Sequence, residues 1–248
     1  MNSPLMICKI LEQSMPVNME SKNSTMTWTT YHPLADIYDW LDSLVIDNML
    51  TIGMDFVKPT GFSNSSGICY GTDMNRNFGF MWGGAGHNFD VPCDHWYGGA
   101  APDTEPEVLA LQHFVNSFPE GYIRMYLAFH AFGNFVLLPY GHSNTEFPPN
   151  YDQMMRIANA FADAAQVKYG TEFLSGASGL LNYPVSGSAK DWAYGVKKIP
   201  FTATIELRDD GSKYGFFLPA SQILEVCAEV TDGLVELVRK AREEGLFN

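Results

Sequence analysis

Residues Phe201–Ile223 read FTATIELRDDGSKYGFFLPASQI. Phe201, Ala203, Ile205 and Leu207 alternate with Thr202, Thr204, Glu206 and Arg208. Successive strand side chains point to opposite faces, so this two-residue period predicts a half-buried strand over 201–207. Thr204, Glu206 and Arg208 share its polar face, with Glu206 close to the strand end. A Gly-containing turn at Asp209–Gly211 follows, and Pro219 and Ser221 open a long amphipathic helix. A strand that delivers a carboxylate to the mouth of an α/β sheet puts it where acid–base chemistry is done. Spacing alone leaves the plainer alternative open, a strand glutamate that is solvated or ion-paired.

Four apolar stripes elsewhere have helical spacing. Leu34, Ile37, Tyr38, Leu41, Leu44 and Val45 follow Pro33, and Val108, Leu111 and Val115 follow Pro106. Met154, Ile157, Ala158, Phe161 and Ala165 form a third. Ile223, Val226, Cys227, Val230, Leu234, Leu237 and Val238 form the last, closed by Gly245. All four read as core-packing faces. Further strands are predicted at 122–130 and 135–139. No internal repeat or low-complexity tract is present.

With 248 residues and 46% hydrophobic content the chain can bury one large core. Fourteen percent aromatic residues, 22 Gly and 14 Pro suit a loop-rich α/β globule. A net charge of −13 with no basic stripe argues against nucleic acid and against an anionic membrane surface. No apolar stretch is long enough to span a bilayer. The first 26 residues lack a basic start and a continuous apolar core, so no secretory signal is visible. Asn23 and Asn64 head glycosylation sequons, which matter only for an exported chain.

Four segments, in the same order, resemble the zinc carboxypeptidases of the carboxypeptidase A type (peptidase family M14), including digestive relatives in animals. They are GTDMNRNF at 71–78, LAFHAFGNFVLLPYG at 127–141, NYPVSGSAKDW at 182–192 and the opening segment at 201–223. The likeness runs over roughly residues 28–248. It implies a three-layer α/β/α sandwich around a mixed parallel and antiparallel sheet. It also implies hydrolysis of the peptide bond next to a free C-terminal carboxylate, with Zn2+ held by three ligands and an open position for water.

Carried over residue by residue, Glu206 takes the general acid/base role and His130 is one zinc ligand. Asn75 and Arg76 grip the terminal carboxylate, a task suited to a planar bidentate donor, and Tyr183 caps it. Thr204 and Phe216 join the substrate-binding set. Ala131 and Phe132 stand where a serine and a tyrosine are usual, removing two hydroxyls from a peptide subsite. Lys190 occupies the position that sets side-chain preference, and a lysine there favours Asp or Glu. The plainer alternative is a lysine that reaches solvent or pairs with Asp191. By the same resemblance Cys69 and Cys93 are bridged, whereas Cys8 has no obvious partner and Cys227 reads as a buried thiol. Secretion as a zymogen and a monomeric state acting on peptide or protein C-termini are likewise implied.

The family's first two zinc ligands come from a His-x-x-Glu pair ahead of the Asn-Arg segment. Before Asn75 this chain holds only His32, Glu12 and Glu20, which do not form that pair, and no arginine precedes Arg76. His87, His95, His113 and His142 also lack ligand-pair spacing. Lys58 would be a poor substitute for an oxyanion arginine. The expected organisation is therefore a propeptide remnant or linker over 1–26 and a carboxypeptidase-like domain over 27–248. That domain is interrupted near 46–58, with central strands missing and a sheet edge exposed. Three readings follow: an active exopeptidase, a non-catalytic binder of peptide C-termini, and a non-functional truncated product.

Overall fold

The computed structural model describes residues 45–46, 49–53, 72–86, 94 and 96–247, the first two stretches as strand backbone. Six strands among these residues form one sheet: β1 (Val45–Ile46), β2 (Met49–Gly53), β3 (Met125–Ala131), β4 (Phe135–Leu138), β5 (Leu174–Ala177) and β6 (Phe201–Leu207). Their spatial order is β1-β2-β3-β6-β4-β5. β2, β3 and β6 run parallel, while β4 is antiparallel to β6 and β1 antiparallel to β2, so the sheet is mixed. The described helices are α1 (Pro106–Asn116), α2 (Tyr151–Tyr169), α3 (Ser178–Leu181), α4 (Ala189–Gly195) and α5 (Ile223–Glu243). Single 3-10 turns lie at Met74–Arg76 and Ala220–Gln222.

The helices begin and end where local chemistry directs. Pro106 sits in the first turn of α1, where its missing N–H is not needed. Gly170 ends α2 in the left-handed region, its N–H donating to the Gln166 carbonyl. Leu127, Phe129, Ala203 and Ile205 face the layer built by α2 and α5. Tyr126 and Ala128, on the opposite face, pack with Phe78, α1 and α4 residue Trp192. Alternate residues of one strand thus feed two cores, giving the expected α/β/α layering. Among the described residues, no helix is long and apolar enough to cross a membrane.

Several expectations change. The strand predicted at 122–130 is Met125–Ala131, and that at 135–139 ends at Leu138. Val45, assigned to a helical stripe, lies in β1; the rest of that stripe is outside the described residues. β6 is not half-buried: Thr202 and Thr204 are buried as well as the apolar residues. It is a central strand whose polar face is covered, and Thr202 Oγ1 donates to the Lys190 carbonyl of α4 at 3.1 Å. β2 pairs with β3 from Met49 to Gly53.

Arg208, just past β6, is clamped to α5. Its Nε donates to Glu229 Oε1 at 2.9 Å and its Nη2 to Oε2, while Nη1 reaches Gln222 and Glu225. Glu229 is fully buried and also accepts from Thr171 Oγ1 at 2.7 Å. Removing one member of a buried pair leaves the other charge uncompensated. Glu229→Ala should therefore lower unfolding stability by about 3 kcal/mol in urea titrations.

Candidate functional site

The site grows from the carboxyl ends of two adjacent parallel strands. β3 and β6 pair in register from Met125↔Phe201 to Ala131↔Leu207, which sets His130 directly beside Glu206. In-register neighbours project to the same face, so both side chains enter one pocket of about 290 Å³. Thr204, one pleat earlier, lines it too.

A second wall comes from the turn Met74–Arg76. Asp73 caps it, its carboxylate accepting from the Asn75 N–H at 3.0 Å. Asn75 Oδ1 accepts from the Ala189 N–H at 2.9 Å, tying this turn to the start of α4. Arg76 is buried; its Nη1 donates to the Asn75 carbonyl at 3.0 Å and lies 4.0 Å from Asp73 Oδ2. Its Nε is buried without a hydrogen-bond partner. A buried guanidinium N–H left unanswered is the kind of donor an anionic ligand satisfies.

The third wall is the segment 183–190. Gly187 crosses the Arg76 turn so closely that a Cβ there would meet the Arg76 carbonyl oxygen at 2.3 Å, and its φ is +70°. The Gly187 carbonyl in turn accepts from the Phe78 N–H at 3.0 Å. Lys190 is only 3% exposed, so it does not reach out to solvent. Its Nζ lies 3.3 Å from Ser188 Oγ and 3.4 Å from Asp191 Oδ1, so the pairing with Asp191 weighed from the sequence is present. Tyr183 is half-exposed and stacks on Trp96, ring centroids 5.1 Å apart. Phe216, at the rim, meets Phe132 edge-on at 4.7 Å.

All eight pocket residues expected from the sequence, namely Asn75, Arg76, His130, Tyr183, Lys190, Thr204, Glu206 and Phe216, line this one pocket. A wider groove of about 1010 Å³ adjoins it, sharing Tyr183, Glu206 and Phe216 and floored by Phe132. Burial, with Arg76 and Lys190 adding to it, lowers the pKa of His130 to about 4. Sequence reasoning missed Asp73, Ser188, Trp96 and His142. Only Asp73 left a local signal, an acid three residues ahead of Arg76.

Metal donors are fewer. Catalytic zinc takes three protein ligands. Among the described residues no group of three His, Cys, Asp or Glu side chains stands close enough to hold an ion. His130 has Glu206 beside it, and that set does not fit a catalytic zinc by itself. Cys69 and Cys93, with the bridge expected between them, lie outside the described residues, as do His32, His87, His95 and Lys58.

The zinc carboxypeptidase family model, peptidase M14, matches residues 54–233. This chain belongs to the zinc carboxypeptidase family. A zinc carboxypeptidase of Simulium vittatum is 35% identical over 234 residues, covering 93% of this chain and 74% of the relative. Carboxypeptidase O of Bos taurus is 36% identical over 184 residues, 73% of this chain and 47% of its own length. Human mast cell carboxypeptidase A is 38% identical over 166 residues, or 67% and 39%. The chain thus spans less than half the length of the latter two. Among solved structures, bovine thrombin-activatable fibrinolysis inhibitor in complex with tick carboxypeptidase inhibitor matches with a TM-score of 0.67 at 28% identity, covering 75% of this chain and 62% of that one. Carboxypeptidase A of Helicoverpa armigera gives 0.64 at 29% identity, covering 75% and 45%.

Gly187 lies against the Arg76 turn with no room for a side chain. Gly187→Ala would put an L side chain at a positive φ and into a backbone collision, so a stability loss of about 2 kcal/mol is expected in urea titrations.

Proposed function

We propose that this chain retains the family's recognition of a peptide's C-terminal residue, with preference for Glu or Asp, and that zinc-dependent release of that residue is impaired in it. The observation that carries this reading is the meeting of Arg76 and buried Lys190 in one pocket beside Glu206 and His130. The Arg76 fork and the amide N–H groups of Asn75 take the terminal carboxylate, and the Tyr183 hydroxyl closes over it. Lys190 keeps a donor beyond its contacts with Ser188 and Asp191, since an ammonium carries three. That donor, with its charge, meets an acidic side chain. Thr204 and Phe216 shape the walls. Glu206 stands as the general acid/base of the family's reaction, but a lone histidine holds zinc weakly against water.

On this reading residues 27–248 form the carboxypeptidase-like unit, interrupted near 46–58, and 1–26 are a propeptide remnant or linker. The ligands are peptide or protein C-termini, bound by a monomer. Secretion as a zymogen with a Cys69–Cys93 bridge follows the family.

Two measurements test it. A peptide ending in Glu should bind about tenfold tighter than its Leu-ended counterpart by calorimetry, and Lys190→Asp should reverse the order. Equal affinities in the unaltered chain would remove the acidic preference. Metal analysis after dialysis against zinc should find well under one equivalent; stoichiometric zinc with turnover of the Glu-ended peptide would overturn the impairment.

A further inference from the structure

We propose that His142 is a positioning residue for specificity: by sharing Asp191 with Lys190, it sets how strongly the pocket attracts an acidic side chain. This rests on the acidic-pocket reading above. Asp191 is 1% exposed and stands between two cations-to-be. Its Oδ1 lies 3.4 Å from Lys190 Nζ, and its Oδ2 lies 3.5 Å from His142 Nδ1. The same Oδ2 accepts from the backbone N–H groups of Gly141 at 2.7 Å and His142 at 3.2 Å. These backbone donors pin the carboxylate in place while its contacts with the two side chains stay loose. Asp191 Oδ1 and His142 Nδ1 are both buried without a hydrogen bond. Lys190 is therefore tied to Asp191 by charge, while its hydrogen bond goes to Ser188 Oγ at 3.3 Å. Gly141 keeps the three groups together: a Cβ there would meet Lys190 Nζ at 2.8 Å and Asp191 Oδ2 at 3.3 Å.

The titratable groups facing His142 are few. Glu146 Oε2 lies 3.4 Å from its Nε2 on the solvent side, Tyr140 packs against its ring at 4.9 Å, and Phe80 closes the edge. Tyr194 stands behind Tyr140 at 5.7 Å, and Lys190 lies across Asp191. Contact with Asp191 raises the His142 pKa, burial opposes it, and the charges of Asp191 and Glu146 raise it further. The imidazole thus keeps its proton to higher pH than an unperturbed histidine does. Asp191 is itself held below the usual carboxylate range: burial opposes ionisation, but Lys190, His142 and the Gly141 N–H outweigh it.

The sign follows from charge counting. With His142 neutral, Lys190 is the nearest full charge answering Asp191, and its ammonium is drawn down toward the carboxylate. When His142 is protonated, Asp191 is shared and one more positive charge stands behind the pocket. An anionic ligand side chain then gains, and an apolar one does not. By linkage the same ligand must raise the His142 pKa by the same factor.

The test uses the full chain and two peptides differing only in a terminal Glu or Leu, bound at about pH 5.5 to 8.5, above the side-chain pKa of the peptide. His130, held near 4, stays neutral across that window. The Glu-to-Leu affinity ratio should rise about fivefold from the alkaline to the acid end, and stay flat in His142→Gln. In proton NMR, the Glu-ended peptide should raise the midpoint of the His142 ring signal and the Leu-ended peptide should not. A merely structural histidine would change both affinities alike and leave that midpoint unmoved, which would overturn the proposal. Should His142→Gln fail to fold, the ratio and the midpoint of the unaltered chain still decide. A constant preference for Glu at every pH sinks the role of His142 and leaves the Lys190 pocket standing. No preference at any pH sinks both.

Discussion

The register between β3 and β6 is the constraint on which the site depends. Seven successive pairs, Met125↔Phe201 through Ala131↔Leu207, run without a bulge. A slip of one residue would turn Glu206 to the opposite face and part it from His130. What prevents the slip is burial on both sides of the sheet. Leu127, Phe129, Ala203 and Ile205 are packed under α2 and α5, and Tyr126 and Ala128 under the other layer. A shifted strand would send threonines into an apolar core and Ile205 toward the pocket, and each misplacement adds to the penalty. The hydrophobic core therefore acts as the ruler that brings an imidazole and a carboxylate together.

The remaining walls are loops, and loops need other means of being held. Side chains that bond to backbone do this here. Asp73 caps the Arg76 turn, Asn75 reaches the first N–H of α4, and Asp191 gathers the N–H groups of Gly141 and His142. Asp209 does the same at the rim, accepting from Gly211, Lys213, Tyr214 and Gly215 ahead of Phe216. Each is a short polar side chain suited to competing with regular structure for backbone donors. The interior of the pocket is thereby fixed, while Tyr183 and Phe216 at its mouth remain substantially exposed. Exposed side chains at the mouth of a pocket stand where movement is cheapest.

Much of this could be read from residues in order. The alternation in 201–207 marked β6 to the residue, and the stripes at Met154–Ala165 and Ile223–Val238 marked the two helices of one layer. What alternation could not reveal was that the polar face of β6 is also covered. Thr202 reads as solvent-facing until α4 is known to bring the Lys190 carbonyl to it. The segments LSGA and SGLL are too short for any period to emerge, so β5 and α3 left no signal. Val45 continued a helical stripe by spacing, yet pairing with Leu50 draws it into β1, a tertiary preference overriding a local one. The pocket residues were legible only as members of motifs. Their convergence depends on strand register and loop anchoring, which no local pattern encodes. His142 carried no signal because its contact is with Asp191, 49 positions away.

Recognition and metal chemistry have different structural supports in this chain. The groups that would hold a terminal carboxylate and an acidic side chain lie between Asp73 and Lys190, and their anchors all lie within the described fold. Asn75 depends on α4, Arg76 on its own turn and on Gly187, and Lys190 on Asp191. None of these contacts runs through His130 or through a metal. Zinc, by contrast, needs three donors from separate segments, and losing any of them weakens binding out of proportion, since each remaining ligand must then compete with water. Depleting metal donors therefore removes the reaction long before it removes the pocket. Keeping the recognition supports without a full set of metal donors is physically coherent, because the contacts that hold Asn75, Arg76 and Lys190 do not run through the metal donors.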